Sequence, residues 1–328
     1  MSVIFSRAPL RISLGGGGTD LPSYYREHGG FFVSGAIDKY VYMLTHTVFQ
    51  RRYRMKYSEL EEVDEIAQIR HPILRESLLR HWCGNPLEIA SVADVPAGTG
   101  MGSSGAYTVC LVKGLVRARH TSISTGDLAE AACEIEMDVL GEPVGKQDPY
   151  VAAHGGICAY TIHPKGEVKV EPLELDPEVL RRMRDHLLLF YTGEARSASK
   201  MLADQDKRSK DGDQEMIENL HRTKALGRQI QGLLSAGDLE AYAEVMHEHW
   251  MHKRRRSPGM ASPHIDELYA AARRSGAVGG KLVGAGGGGF LLVYARRPED
   301  TRQAMSAAGV SELAFDFEFG GAHASEYA

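Results

Sequence analysis

Ser103 and Ser104 end a glycine-rich run, PAGTGMGSSGA over residues 96–106, and the apolar residues after it (Ala106, Val109, Cys110, Val112 and Val116) recur at helical spacing. The run is too rich in glycine to be helical, so it reads as a loop feeding a helix whose first turn lies near Ser103 or Ser104, with serine as cap. Such a loop offers the N–H groups around Gly98, Gly100, Gly102 and Gly105 without crowding side chains, and the helix start adds partial positive charge. That chemistry suits phosphate. No lysine follows the glycines in a GK[ST] arrangement, and the spacing of a dinucleotide fingerprint is missing. Taken alone, the loop is equally a phosphate cradle or a structural turn.

Two further glycine-dense stretches, Gly15 to Gly18 and Gly276 to Gly289, lie far from the first, and the three together suggest one site assembled from distant parts of the chain. Asp20 follows the first stretch. Its carboxylate oxygens suit hydrogen bonds from a polyol, and an Asx turn or helix cap would use them equally well. Asp148 stands in VGKQDPY, where the following proline restricts its backbone. Lys253 to Arg256 follow His247, His249 and His252. The basic run suits either a ligand phosphate distant from the reacting group or a solvated helix end. HEHWMH lacks zincin spacing, so its histidines read as ordinary surface or boundary residues.

Strands and helices must position these groups. Strands are expected at 3–14, 31–45 and 87–92, with RRYRMKYSEL (51–60) as a further strand wet on one face. Helices are expected over 62–82 and 125–140, the second capped by Ser124 or Thr125 and stopped by Gly141 and Pro143. Residues 154–176 read as a hairpin turning at Pro164 to Gly166. A boundary between Leu173 and Pro177 divides the chain into domains 1–175 and 176–328. Beyond it come a strand at 186–191, helices at 194–209, 213–235, 237–252 and 262–275, and a core strand at 290–294. Leu313, Phe315, Phe317 and Phe319 alternate as in a final strand. β-rich then mixed order predicts two α+β domains rather than a continuous βαβ wheel.

The 328 residues are 43% hydrophobic and 25% charged, which excludes a disordered, collagen-like or coiled-coil chain. With 38 basic and 43 acidic side chains, a net charge of −5 provides no general attraction for nucleic acid or an anionic membrane. Cys83, Cys110, Cys133 and Cys158 form no CxxC pair and read as reduced, mostly buried thiols. No run of 18 apolar residues occurs, and MSVIFSRAPLRISLGGGG reaches charge and glycine before any signal-peptide core, so a cytoplasmic protein is expected.

RAPLRISLGGGGTD (7–20), PAGTGMGSSGA (96–106) and KLVGAGGGGF (281–290) together resemble the three signature motifs of the GHMP kinase superfamily, that of galactokinase, homoserine kinase, mevalonate kinase and phosphomevalonate kinase. The resemblance spans almost the whole chain. It implies an N-terminal domain like ribosomal protein S5 domain 2 and a C-terminal ferredoxin-like domain, with ATP and the phosphate acceptor bound between them. Within the superfamily, residues 6–25, 141–156 and 279–292 are most similar to the D-glycero-D-manno-heptose 7-phosphate kinases, while fucokinases and other sugar-1-kinases carry related first motifs.

By this resemblance Pro96, Gly98, Gly100, Met101, Gly102, Ser103, Ser104 and Gly105 would hold ATP, and Ser104 and Glu136 would hold Mg2+. Glu136 lies twelve residues before Asp148, with Glu134 as its nearby rival. Asp148 resembles the catalytic aspartate and Arg11 the basic residue beside it. Gly17, Gly18, Thr19, Asp20, Gly286 and Gly287 would join them around the acceptor. The implied reaction is ATP-dependent phosphorylation of the anomeric hydroxyl of a heptose 7-phosphate by a monomer or homodimer, with no nucleic-acid or membrane partner. A kinase of fucose or a hexose, a decarboxylating relative and a non-catalytic S5-like binding module are the alternatives. Ser104, Glu136, Asp148 and Arg11 standing together argue against the last.

Overall fold

The computed structural model describes residues 2–49, 51–194, 198–257 and 259–327. β1 (Val3–Gly15) alternates buried and half-buried residues as far as Arg7 and is buried continuously from Ala8 onward. That change marks where helices cover both faces of the strand. α1 (Pro22–His28) leads into β2 (Gly30–Thr47), which pairs antiparallel with β1 along most of its length. Next come β3 (Tyr53–Lys56), β4 (Leu60–Val63), α2 (Pro72–His81), β5 (Leu87–Ala93), α3 (Ser103–Ala118), α4 (Thr125–Cys133), α5 (Gln147–His154), β6 (Ile157–Ile162) and β7 (Val168–Pro172).

The second part holds α6 (Pro177–His186), β8 (Leu187–Tyr191), α7 (Ala198–Lys210), α8 (Gln214–Ser235), α9 (Leu239–Lys253), α10 (Pro263–Arg274), β9 (Ala277–Leu282), β10 (Phe290–Ala295), α11 (Pro298–Ala307), β11 (Ser311–Glu312) and β12 (His323–Tyr327). An eight-stranded sheet runs β12-β1-β2-β5-β3-β4, with β6 on the first half of β2 and β7 beside it. A four-stranded antiparallel sheet runs β11-β8-β10-β9. This is the expected two-domain α+β fold. α8 joins the two parts, because Leu226 and Ile230 share one core with Leu10, Ile12 and Leu14 of β1. Each such buried side chain contributes roughly 1.5 to 3 kcal/mol.

Several expectations are corrected. The helix expected over 62–82 begins only at Pro72, because β4 pairs with β3 and a short turn capped by Glu65 and Gln68 intervenes. The strand expected over 51–60 is consequently a hairpin of two short strands. The 125–140 helix changes at Glu134 into a π-helical turn over Glu134–Val139. The final alternating stretch forms only β11 and one bridge between Phe317 and Ile37, because side-chain oxygens of Asp38 and Asp316 take the amides of Asp316 and Phe317. The chain then returns to the first sheet as β12, so the second unit does not run unbroken from 176 to 328. Of the free thiols, Cys83 is exposed, and Cys110, Cys133 and Cys158 are buried. Among the described residues no helix is long and apolar enough to cross a membrane.

Candidate active site

Pro9 has no N–H for the sheet, and the β1 to β2 register shifts directly after it. Arg11, just past the shift, donates its backbone N–H to Met101 O across 3.1 Å. Its buried guanidinium reaches Asp148 Oδ1 from Nε at 2.8 Å and from Nη2 at 2.5 Å, and donates from Nη1 to Gly100 O at 2.5 Å. One side chain thus ties β1, the glycine loop and the first turn of α5 together. Asp148 Oδ2 has no protein partner among the described residues, and the side chain keeps 30% of its surface exposed.

The loop approaches this pair closely. A Cβ on Gly102 would lie 3.1 Å from Asp148 Cγ and 3.2 Å from Arg11 Cγ, and one on Gly105 would lie 2.7 Å from Asp148 Cβ. Gly102, at φ +76°, is also the residue that caps α3, so the expected serine cap is replaced. Ser103 Oγ, inside the first turn, is buried with no partner among the described residues. Met101 is wholly buried and serves the core and Arg11, whereas Pro96 and Gly98 are exposed at the loop's outer edge.

Ser104 donates its hydroxyl to Glu136 Oε2, and Thr108, one helical turn later, donates to Oε1 at 2.8 Å. Glu136 is 2% exposed, while Glu134 faces solvent. The π-helical turn seats Glu136 between Ile135 and Met137 on the covered side. Burial pushes its carboxyl up to about 7 against the lowering effect of both hydroxyls. A buried carboxylate among hydroxyl oxygens fits a hard divalent cation, and the orphan Ser103 hydroxyl with the open backbone at Gly98 fits the phosphates of a nucleotide.

A cavity extends from Asp148 between the two parts, lined by Arg11, Ser13, Gly17, Gly18, Asp20, Gln147, Gln205, His249, Lys253, Arg256, Lys281, Gly284 and Ala285. Asp20 accepts from Gly18 N at 3.0 Å and Gln147 N at 3.1 Å, so it closes a turn and still faces the cavity. Burial raises its pKa. Thr19, expected at the acceptor, is fully buried, and its hydroxyl is spent on the carbonyls of Gly16 and Phe31 and on the Phe31 amide. Gly286 and Gly287 stand against Met260, where a Cβ on Gly286 would meet its Sδ and Gly287 N donates to its carbonyl. Gly284 and Ala285 hold the cavity wall.

The basic run divides. Lys253 and Arg256 turn inward, buried, whereas Arg254 pairs with Asp266 at 2.6 Å and Arg255 is exposed. Lys253 Nζ donates to Leu282 O at 3.1 Å and Gly284 O at 2.5 Å. Arg256 donates to Thr223 Oγ1 at 2.9 Å, to Gln205 Oε1 and Asn219 Oδ1 at 3.1 Å, and to Gly17 O at 3.5 Å. Burial lowers its pKa to about 10, opposed by Asp20. Other cations that could reach a distal phosphate lie elsewhere: Arg7 covers the Tyr40 ring, and Lys146 pairs with Glu130 at 2.6 Å. Arg196 lies outside the described residues.

His249 corrects the surface reading of its cluster, being 2% exposed and bonded through Nε2 to Gly16 N at 3.3 Å. Ser13, Gln147 and Lys281 also went unassigned in the sequence. Two signals were present: Arg11 and Ser13 alternate onto one strand face, and His249, Lys253 and Arg256 recur at intervals of four and three. Lys281 stands within the third glycine motif itself.

Residues 70–156 match the GHMP kinases N terminal domain and residues 215–311 the GHMP kinases C terminal domain. A D-glycero-alpha-D-manno-heptose 7-phosphate kinase of Campylobacter jejuni is 26% identical over 306 residues, 90% of each chain. The bifunctional fucokinase/GDP-fucose pyrophosphorylase of Arabidopsis thaliana is 24% identical over 90% of this chain and 30% of that protein. The fold is shared with the crystal structure of a D-glycero-D-manno-heptose 1-phosphate kinase from Bacteriodes thetaiotaomicron, at a TM-score of 0.81, 23% identity and 99% coverage of both chains. With the loop, the Arg11 to Asp148 pair and the cavity between two domains in place, the chain belongs to the GHMP kinase superfamily, as an ATP- and Mg2+-dependent kinase of a small molecule.

Proposed function

We propose that the chain transfers the terminal phosphoryl group of ATP to the anomeric C1 hydroxyl of D-glycero-D-manno-heptose 7-phosphate, giving the 1,7-bisphosphate and ADP. The observation that carries this reading is the cavity's surplus of basic side chains, Arg11, Lys253, Arg256 and Lys281 against two carboxylates, Asp20 and Asp148, with burial lowering the pKa of both lysines until an anion joins them. An acceptor bearing its own phosphate balances that surplus. Similarity to the Campylobacter jejuni heptose 7-phosphate kinase over 90% of both chains supports the same substrate.

In this reading the N–H groups of the 98–105 loop and the start of α3 hold the nucleotide phosphates. Ser104 and Glu136 hold Mg2+, which supplies neutralisation of the charge developing on the phosphate oxygens. Arg11 fixes Asp148 through Oδ1 and leaves Oδ2 for the attacking hydroxyl, either to accept its proton or to orient it. Asp20, with Gly17 and Gly18 beside it, lies against the acceptor's hydroxyls.

An acceptor screen with ATP and Mg2+ tests the proposal. Phosphorylated heptoses should be turned over in preference to free heptoses, fucose and hexoses. Equal use of a free sugar would overturn the heptose 7-phosphate reading.

A further inference from the structure

Three buried donors in the cavity lack the partners that burial normally demands. Lys281 is 2% exposed, and its Nζ has one described hydrogen bond, 3.5 Å to Ser13 Oγ. His249 accepts the Gly16 amide at Nε2, which leaves the proton on Nδ1, and Nδ1 is buried without a partner among the described residues. Gln147 Nε2 is also unpartnered among the described residues. They come from three different elements, β9, α9 and α5, and all line the same cavity. Buried polar groups are nearly always satisfied, so a shared deficit of acceptors points to an electron-rich ligand.

We propose that Lys281 and His249 form the subsite that receives the phosphate already carried by the acceptor. The inference rests on the kinase reading above and names the residues that make it selective. Their position separates them from the reacting centre. Arg11 grips Asp148, Lys281 contacts Ser13 two residues further along β1, and His249 contacts Gly16 beyond the strand's end. Two strand residues span about 7 Å. A second phosphate on a sugar, remote from the hydroxyl being phosphorylated, needs such an offset.

The charges agree with this placement. Lys253 and Arg256 also face the cavity, but carbonyls, amides and hydroxyls already occupy them. Burial, with Arg11 and Arg256 nearby, lowers Lys281 to about 7, and burial beside Lys281, Arg256 and Lys253 keeps His249 neutral. Asp20 and Asp148 are the carboxylates lining the cavity with them. An incoming phosphate dianion would favour the charged lysine and accept the imidazole N–H.

The test compares wild type with Lys281→Met, Lys281→Arg and His249→Phe. Binding of heptose 7-phosphate without nucleotide is measured by calorimetry, and kcat/KM is measured for phosphorylated and free heptose. K281M should weaken binding of the phosphorylated sugar about 10- to 100-fold and reduce the preference for it by the same factor. H249F should act in the same direction by about fivefold, as a neutral donor would. MgATP affinity, read with a fluorescent nucleotide, reports an intact fold, and K281R should bind the phosphorylated sugar more tightly than K281M.

Wild type that uses both sugars equally would sink the function itself. Wild type that prefers the phosphate, with variants that keep the preference, overturns this assignment alone. A K281M enzyme that loses kcat equally on both sugars at unchanged binding would place Lys281 on the transferring phosphoryl group and overturn it too.

Discussion

Glu136→Gln separates what the buried carboxylate costs from what it does. Burial carries its pKa from an ordinary 4.5 to about 7. The unfolded chain is ionised above 4.5, while the metal-free folded protein holds the proton until about 7. Stability tied to this group is therefore fully present below pH 4.5 and is lost as pH rises through 7. At about 1.4 kcal/mol per unit, the loss is on the order of 3 kcal/mol at pH 8. A glutamine carries no such charge. In EDTA, E136Q should melt several degrees above wild type at pH 8 and show little advantage at pH 5, by calorimetry. In turnover assays the order reverses, with E136Q needing a higher Mg2+ concentration than wild type. Glu134→Gln, at an exposed position, should change neither measurement. The reasoning is falsified if E136Q in EDTA is no more stable than wild type at pH 8, or if the two share one Mg2+ titration.

Asp148→Asn keeps size and removes the carboxylate, so nucleotide binding should persist while the single-turnover rate drops about 10²- to 10⁴-fold; a near wild-type rate would end the assignment. Gly105→Ala puts a methyl 2.7 Å from Asp148 Cβ and 2.8 Å from Pro149 N, and should cost about 1 to 3 kcal/mol of stability together with activity. An unchanged melting temperature and rate for G105A would show that the helix α3 to α5 contact is not tight.

The site's skeleton was legible where a residue's chemistry depends on its immediate neighbours. The glycine loop before α3 and the acidic residue of the adjoining helix are local patterns, and Ser104 does meet Glu136 and not Glu134. What escaped depended on contacts far apart in the chain. Lys281 and Ser13 are separated by 268 positions and His249 and Gly16 by 233, so no window of sequence joins them. Thr19 shows the opposite failure: it stands beside Asp20, but its hydroxyl is consumed by Phe31, twelve residues on. In the fold, Pro72 and the Glu65 turn displaced a helix that apolar spacing alone extended to residue 62. The Phe315 to Phe319 alternation had strand character, yet aspartate side chains took the amides a sheet would have used.

β12 carries a consequence for how the chain is made. It pairs with β1 from Val3 opposite Tyr327 to Arg7 opposite His323, so the strand holding Arg11 gains its outer neighbour only from residues synthesised some three hundred positions later. Until those residues leave the ribosome, one edge of β1 has unpaired backbone, the sort of edge that recruits other chains. The first sheet therefore stays unfinished until β12 is made, and that strand is synthesised after every residue lining the acceptor cavity. A nascent chain stalled before residue 323 would hold all the chemistry and an open edge, making that stage the one at which aggregation competes most directly with folding.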